Sequence, residues 1–173
     1  MGYFVSITDS NFRVPASKLD AAYKALVKLN ERDDLKSGGA STTPEGVSWS
    51  DARPEGMDYH PAKWFAWMHP NYPSECQDIE SILSMVGYEL EQAEDGALMV
   101  TGYSSKTGCE DVFAAALAPF VEPGSYLTWE GEDGEEYRWA FDGKRLIPQA
   151  PVSKKIEWEE IDEDFLATRE PAL

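Results

Sequence analysis

This 173-residue chain predicts an α+β fold, with a largely antiparallel sheet carrying about three helices on one side. Three observations carry that expectation. Apolar and polar residues alternate in several short stretches, and Asp95-Gly96, Asp133-Gly134 and Asp142-Gly143 supply turns between them. Three other stretches place apolar residues on one helical stripe behind helix-start signals. The resulting order is strand, helix, long loop, helix, hairpin, helix, meander, and hairpins and meanders are the connections of antiparallel strands.

Each element follows from its residues. Tyr3 to Thr8 alternates as a strand, with Tyr3, Val5 and Ile7 on one face and Phe4 on the other. Residues 9–14 are expected to extend its pairing. Pro15 marks a helix start, and Leu19, Ala22, Tyr23, Leu26 and Val27 share one stripe up to about Asn30. Ser74 and Gln77 form a capping-box pattern before a second helix, whose stripe is Ile79, Ile82, Leu83 and Val86 and whose left-handed cap is Gly87. Tyr88–Gln92 and Ala97–Tyr103 read as a hairpin around Asp95-Gly96. Thr107 and Glu110 repeat the capping pattern before a third helix with Val112, Phe113, Ala116, Leu117 and Phe120 on its apolar face, and Pro119 limits its length. A meander follows at Ser125–Glu130, Glu136–Phe141 and Lys144–Ile147, its middle strand setting Tyr137, Trp139 and Phe141 against Arg138. Residues 148–153 are broken by proline, and Lys154–Ile161 alternates as an edge strand.

The chain is expected to form one domain over residues 1–161, containing a long irregular segment at 31–73, with an acidic tail at 162–173 that frays. Within that segment, residues 63–68 suit either a short strand or an anchoring apolar turn. The 42% hydrophobic content and the six Trp, eight Tyr and seven Phe suffice for a single core and argue against disorder. No apolar run reaches the ~18–20 residues of a membrane span, and no secretory signal opens the chain. The opening Met1-Gly2-Tyr3-Phe4-Val5-Ser6 fits the permissive N-myristoylation pattern, but a strand there holds the glycine away from an acyltransferase. Cys76 and Cys109 are too few for a disulfide scaffold, so free buried thiols in a cytoplasmic protein are expected. Both precede predicted helix turns, where a thiol pKa can fall.

Charge is the strongest compositional signal. Thirty-two Asp and Glu against fifteen Lys and Arg give a net charge of −17. Such a surface repels nucleic acid and anionic membranes and attracts basic protein surfaces. His60, His69, Cys76 and Cys109 lack the paired close spacing of a zinc site, so no metal or other cofactor is expected. Gly102 to Gly108 superficially resembles a phosphate loop, but Lys106-Thr107 precedes the second glycine and the required order is absent. Thr107 is better explained as a helix cap.

Carboxylates cluster at three places. Glu130, Glu132, Asp133, Glu135 and Glu136 surround one hairpin turn; Glu157, Glu159, Glu160, Asp162, Glu163 and Asp164 crowd the C-terminal segment; Glu89, Glu91, Glu94 and Asp95 line the earlier hairpin. Strand residues two apart stand ~6.5–7 Å from each other on one face, so a sheet edge can array carboxylates as a nucleic acid strand arrays phosphates. The candidate partner-binding residues are Glu130, Glu132, Asp133, Glu135, Glu136, Glu157, Glu159 and Glu160. Charge-flanked tryptophans add candidate contact points, with Trp129 and Trp139 assigned to the core.

The residues Gly87-Tyr88, Ala118-Pro119-Phe120-Val121, Pro123-Gly124-Ser125-Tyr126, Gly131-Glu132-Asp133-Gly134 and Trp139 with Phe141-Asp142-Gly143 resemble those of small acidic uncharacterised proteins of actinobacteria and their phages. Met1-Gly2-Tyr3 and Ile156-Glu157-Trp158-Glu159 fit the same likeness, which covers about half the chain. It implies a shared fold and no known activity. The reading is a non-catalytic interaction protein, phage-encoded by resemblance, that binds a basic surface of a host protein and inhibits or modulates it. A DNA mimic acting against a nuclease or defence effector is its sharper form. The alternative is a small-molecule binder or hydrolase using 31–73 as a lid, with His60, Trp64 and His69 at a pocket. A component that only self-associates is the third possibility.

Overall fold

The computed structural model describes residues 2–153. In chain order its elements are β1 (Phe4–Ser10), β2 (Arg13–Val14), α1 (Leu19–Leu29), β3 (Gly38–Gly39), β4 (Lys63–Trp64), α2 (Tyr72–Glu75), α3 (Ile79–Val86), β5 (Glu89–Gln92), β6 (Leu98–Gly102), β7 (Ser104–Lys106), α4 (Glu110–Leu117), β8 (Tyr126–Gly131), β9 (Glu136–Phe141) and β10 (Leu146–Gln149). Single 3₁₀ turns occupy Ala16–Lys18, Asp33–Leu35 and Ala118–Phe120. The predicted α+β class is the one observed, with a five-stranded antiparallel sheet ordered β10-β9-β8-β1-β7. The expected edge strand at 154–161 and the tail at 162–173 lie outside the described residues.

β1 is the interior strand on which the two halves of the chain meet. Its one edge takes β8 and its other takes β7, and a bulge at Ile7–Asp9 bends it. Past the bend, Ile7 N donates to Tyr103 O at 2.9 Å and Ser10 Oγ to Val100 O at 2.6 Å. The three-stranded sheet β2-β6-β5 therefore continues the curvature of the larger one. One face of the main sheet carries Val5, Leu127, Trp129, Trp139 and Phe141, all buried. Against it lie α1, α3 and α4, whose buried stripes include Ala22 and Leu26, Ile82 and Leu83, and Phe113 and Leu117. At about 25 cal/mol per Å² of apolar area, this shared burial is the main stabilising term.

Several local expectations are corrected. Asp78, not Ser74, caps α3: its carboxylate accepts from Ser81 N at 2.7 Å and from the Ser81 hydroxyl. Ser74 instead lies inside the one-turn helix α2, whose first turn holds Pro73, where its missing amide costs nothing. The α4 N-cap is Cys109, which makes no side-chain cap; Glu110 carries out the reach-back alone, accepting from Gly108 N at 2.7 Å. Ser104–Lys106, assigned to no element from the sequence, is strand β7. The last strand is shifted two residues on, because Asp142 Oδ1 accepts from both Lys144 N (2.9 Å) and Arg145 N (2.8 Å) and lengthens the turn. Pro148 consequently sits within β10, which tolerates it as an edge strand. Gly87 is the left-handed cap expected, with φ 115°.

Within the 31–73 segment, residues 31–61 are ordered by polar contacts rather than by burial of apolar groups. No apolar side chain between residues 31 and 61 is buried. The side chain of Lys36 has 0% exposure, and its Nζ donates to Asn30 O and Asp33 Oδ1, each at 2.8 Å. Arg53 then bridges Asp33 Oδ2 (3.0 Å) to the carbonyls of Glu31 (3.0 Å) and Asp58 (3.1 Å). Farther on, residues 63–68 are both of the things expected: β4 pairs with β3, and Phe65 and Met68 anchor a turn in the core.

Candidate functional site

The β8–β9 hairpin presents its predicted carboxylates together. Glu130 stands directly opposite Glu136 in the register, and Glu132, Asp133 and Glu135 occupy the connecting turn. All five are exposed. Gly131 N donates to Glu135 O and Gly134 N to Gly131 O, both at 2.8 Å, while Glu132 N donates to Phe4 O at 2.9 Å. The turn is thus fixed to β1 as well as to itself. Gly131 cannot be replaced without movement, because a Cβ there would stand 2.2 Å from the Tyr3 hydroxyl. The basic residue of β9, Arg138, is directed along the strand: its Nε donates to Thr128 Oγ1 at 2.9 Å and its guanidinium lies 4.2 Å from the Tyr126 ring centre. Among the described residues, Glu130, Glu132, Asp133 and Glu135 form no ion pair. Burial first, then the Glu110 carboxylate, pushes the nearby Tyr137 phenol up to about 12, with Glu135 adding to the shift.

The other acidic groups differ. In the β5–β6 hairpin Asp95 is held by Arg13, which also meets Glu122 at 3.1 Å, so that turn is partly neutralised. Glu157, Glu159 and Glu160 lie outside the described residues.

His60, Trp64 and His69 do not converge on a pocket. His60 is 1% exposed. Its Nε2 donates to Asp51 O at 2.8 Å and its Nδ1 accepts from Ala62 N at 3.1 Å, so both nitrogens serve the chain's own backbone. The Trp64 indole covers Gly38, and His69 is exposed with Nδ1 accepting from Asn71 N at 3.1 Å. A concavity does exist elsewhere on the same segment. A groove of about 1010 Å³ runs between the end of α1, residues 53–59 and the start of α2. Arg53 and Asp33 line it, with Val27, Met57 and Tyr59 as its apolar and aromatic walls and the exposed Glu31 and Asp58 beside them. Its sequence signal is the set of basic residues Arg32, Lys36 and Arg53 in a largely acidic and polar stretch, of which Lys36 and Arg53 both turn to Asp33.

Among the described residues, the exposed aromatics are Phe4, Trp49 and Trp67, at 47%, 36% and 62%. Trp67 holds a left-handed φ of 68°, kept there by the buried Phe65 and Met68 on either side. Trp129 and Trp139 are in the core, as expected.

No group of three or more His, Cys, Asp or Glu among the described residues is placed to hold a metal. Cys76 and Cys109 are free and buried. Burial, helped by adjacent carboxylates, pushes both thiols up rather than down. At the start of α4 the Glu110 carboxylate takes the Gly108 amide, so that helix end is already filled by an anion of the chain itself. No helix among the described residues is long and apolar enough to cross a membrane. No protein-family model, curated protein or solved structure matches this chain.

Proposed function

We propose that this chain is a non-catalytic interaction protein whose β8–β9 hairpin docks onto a basic surface of another protein and blocks or modulates it. The observation that supports it is the cross-strand pairing of Glu130 with Glu136 beside a turn carrying three further exposed carboxylates. Lysines and arginines of a partner are drawn to the exposed carboxylates of Glu130, Glu132, Asp133 and Glu135, which speeds the encounter. The hairpin is also held rigidly to β1, so the array is preorganised. In the sharper form of the reading the basic surface is a nucleic-acid site and the carboxylates stand where phosphates go. The likeness to small acidic proteins of actinobacteria and their phages favours a host protein as target.

The test compares the native chain with a variant carrying Glu132→Gln, Asp133→Asn, Glu135→Gln and Glu136→Gln. Both are used to capture partners from host lysate at about 50 mM and about 500 mM salt. A partner captured by the native chain at low salt, released at high salt and displaced by double-stranded DNA is expected to be lost from the variant. Equal capture by both chains rejects the hairpin as the contact surface.

A further inference from the structure

We infer that the groove beside Arg53 is a second binding site, one that takes an extended peptide segment bearing an arginine or lysine between apolar side chains. Its floor is built rather than incidental. Arg53 spends its guanidinium on Asp33 Oδ2 and on the carbonyls of Glu31 and Asp58, and Lys36 closes the other side of Asp33. On that floor the single carboxylate of Asp33 faces two cations, Arg53 and Lys36, which leaves an excess of one positive charge. Glu31 and Asp58, by contrast, offer only their carbonyls to that clamp, and among the described residues their carboxylates enter no ion pair. Asp33, Glu31 and Asp58 together outnumber Arg53 and Lys36 by one charge, and that negative excess sits on the two exposed carboxylates, so the occupant it favours is a cation.

The rest of the lining selects the body that carries the cation. Val27, Met57 and Tyr59 give the groove apolar walls, and methionine adapts to varied partners. About 1010 Å³ is the top of the range for small-ligand pockets, and this one is a groove rather than an enclosed chamber. An extended segment, burying alternate apolar side chains while its cation meets Glu31 or Asp58, uses both features. This site is independent of the acidic hairpin.

The probe is a fluorescein-labelled octapeptide of alternating leucine and arginine, with two controls in which citrulline or glutamate replaces arginine. Affinity is read by anisotropy on the full chain, and location by amide ¹H–¹⁵N shifts. The arginine peptide is expected to bind saturably and to shift amides of residues 31 and 56–59. Citrulline, and separately the pair Glu31→Gln with Asp58→Asn, are each expected to weaken it about tenfold. Because Arg53 contacts only the backbone of those two residues, the pair leaves the clamp in place. The fourfold hairpin variant described above is expected to bind this probe with unchanged affinity. The inference is overturned if binding is absent, if citrulline binds equally well, or if the shifts fall on residues 130–136. That last outcome leaves the hairpin proposal standing while removing this one.

Discussion

The sheet side of the molecule and the 31–61 stretch hold their shapes by opposite means. Around Trp129 four aromatic rings pack within 6.4 Å between centres: Tyr88, Tyr103, Tyr137 and Trp139. Attraction there is spread over many weak contacts, and no one polar bond decides the geometry. The 31–61 stretch buries no apolar side chain at all; Lys36 and His60 are its buried residues, each satisfied by specific partners. Order there depends on a few directional contacts whose desolvation cost is met only while every partner is present. The consequence is a difference in how damage spreads. Loss of one core ring weakens the whole fold, whereas loss of one rivet releases a segment.

The largest expected effect tests the first half of that contrast. Trp129 is 0% exposed, and Trp129→Ala removes the ring at the centre of the cluster. A fully buried tryptophan reduced to alanine costs about 3–5 kcal/mol. Urea unfolding is expected to shift its midpoint sharply while remaining a single transition, seen alike by far-UV circular dichroism and by the remaining tryptophan fluorescence. A small shift would mean the aromatic cluster is not the principal store of stability.

Asp33→Ala tests the second half. It strips the carboxylate from both Lys36 and Arg53, leaving the Lys36 ammonium buried against Asn30 O and the Phe65 ring. Breaking a buried pair costs up to about 3–5 kcal/mol, and partial exposure of Asp33 places this one at or below about 3. The sharper readout is local. Limited proteolysis is expected to cut within residues 31–61 of the variant long before global unfolding, and the groove should be lost with the clamp. If Asp33→Ala lowers the midpoint while the protease map stays native, the segment is held by something other than the rivet.

The same contrast explains what was legible in the sequence. Periodicity exposed β1, α1, the β5–β6 hairpin and the β8–β9 hairpin, because those elements bury one face and each residue's side follows from its position. It could not expose the rivet, since Asp33, Lys36, Arg53 and His60 are polar groups whose pairing follows no periodicity: Lys36 and His60 turn to near neighbours in the chain, while Arg53 reaches back to Asp33. Nor could it rank the caps of α3: Ser74-x-x-Gln77 and Asp78-x-x-Ser81 both satisfy capping rules, and only packing of Ile79 and Ile82 decides where the helix begins. β7 went unread because Ser104-Ser105-Lys106 has no apolar residue and is a strand only by pairing with β1. The five hairpin carboxylates were legible because a turn signature fixed their register. His60, Trp64 and His69 misled because proximity in an irregular stretch says nothing about direction.

The smallest expected effect concerns the exception on the apolar side of the contrast, Glu110. It is 4% exposed, accepts from Gly108 N and, unlike Lys36, forms no ion pair among the described residues. Burial raises its pKa above the ordinary 4.5, outweighing the amide bond that lowers it. A carboxyl group with a raised folded-state pKa stabilises the fold fully below about 4.5, and that contribution is lost as pH climbs through the folded value. Glu110→Gln keeps an acceptor for Gly108 and removes the charge, so it is expected to raise the urea midpoint at pH 7. The advantage over the native chain should shrink as pH is lowered toward 4.5. A variant destabilised at pH 7, or one whose difference from the native chain is the same at every pH, would mean that the carboxylate is compensated by its surroundings. The aromatic half would then rest on a specific polar contact in the way the 31–61 stretch does.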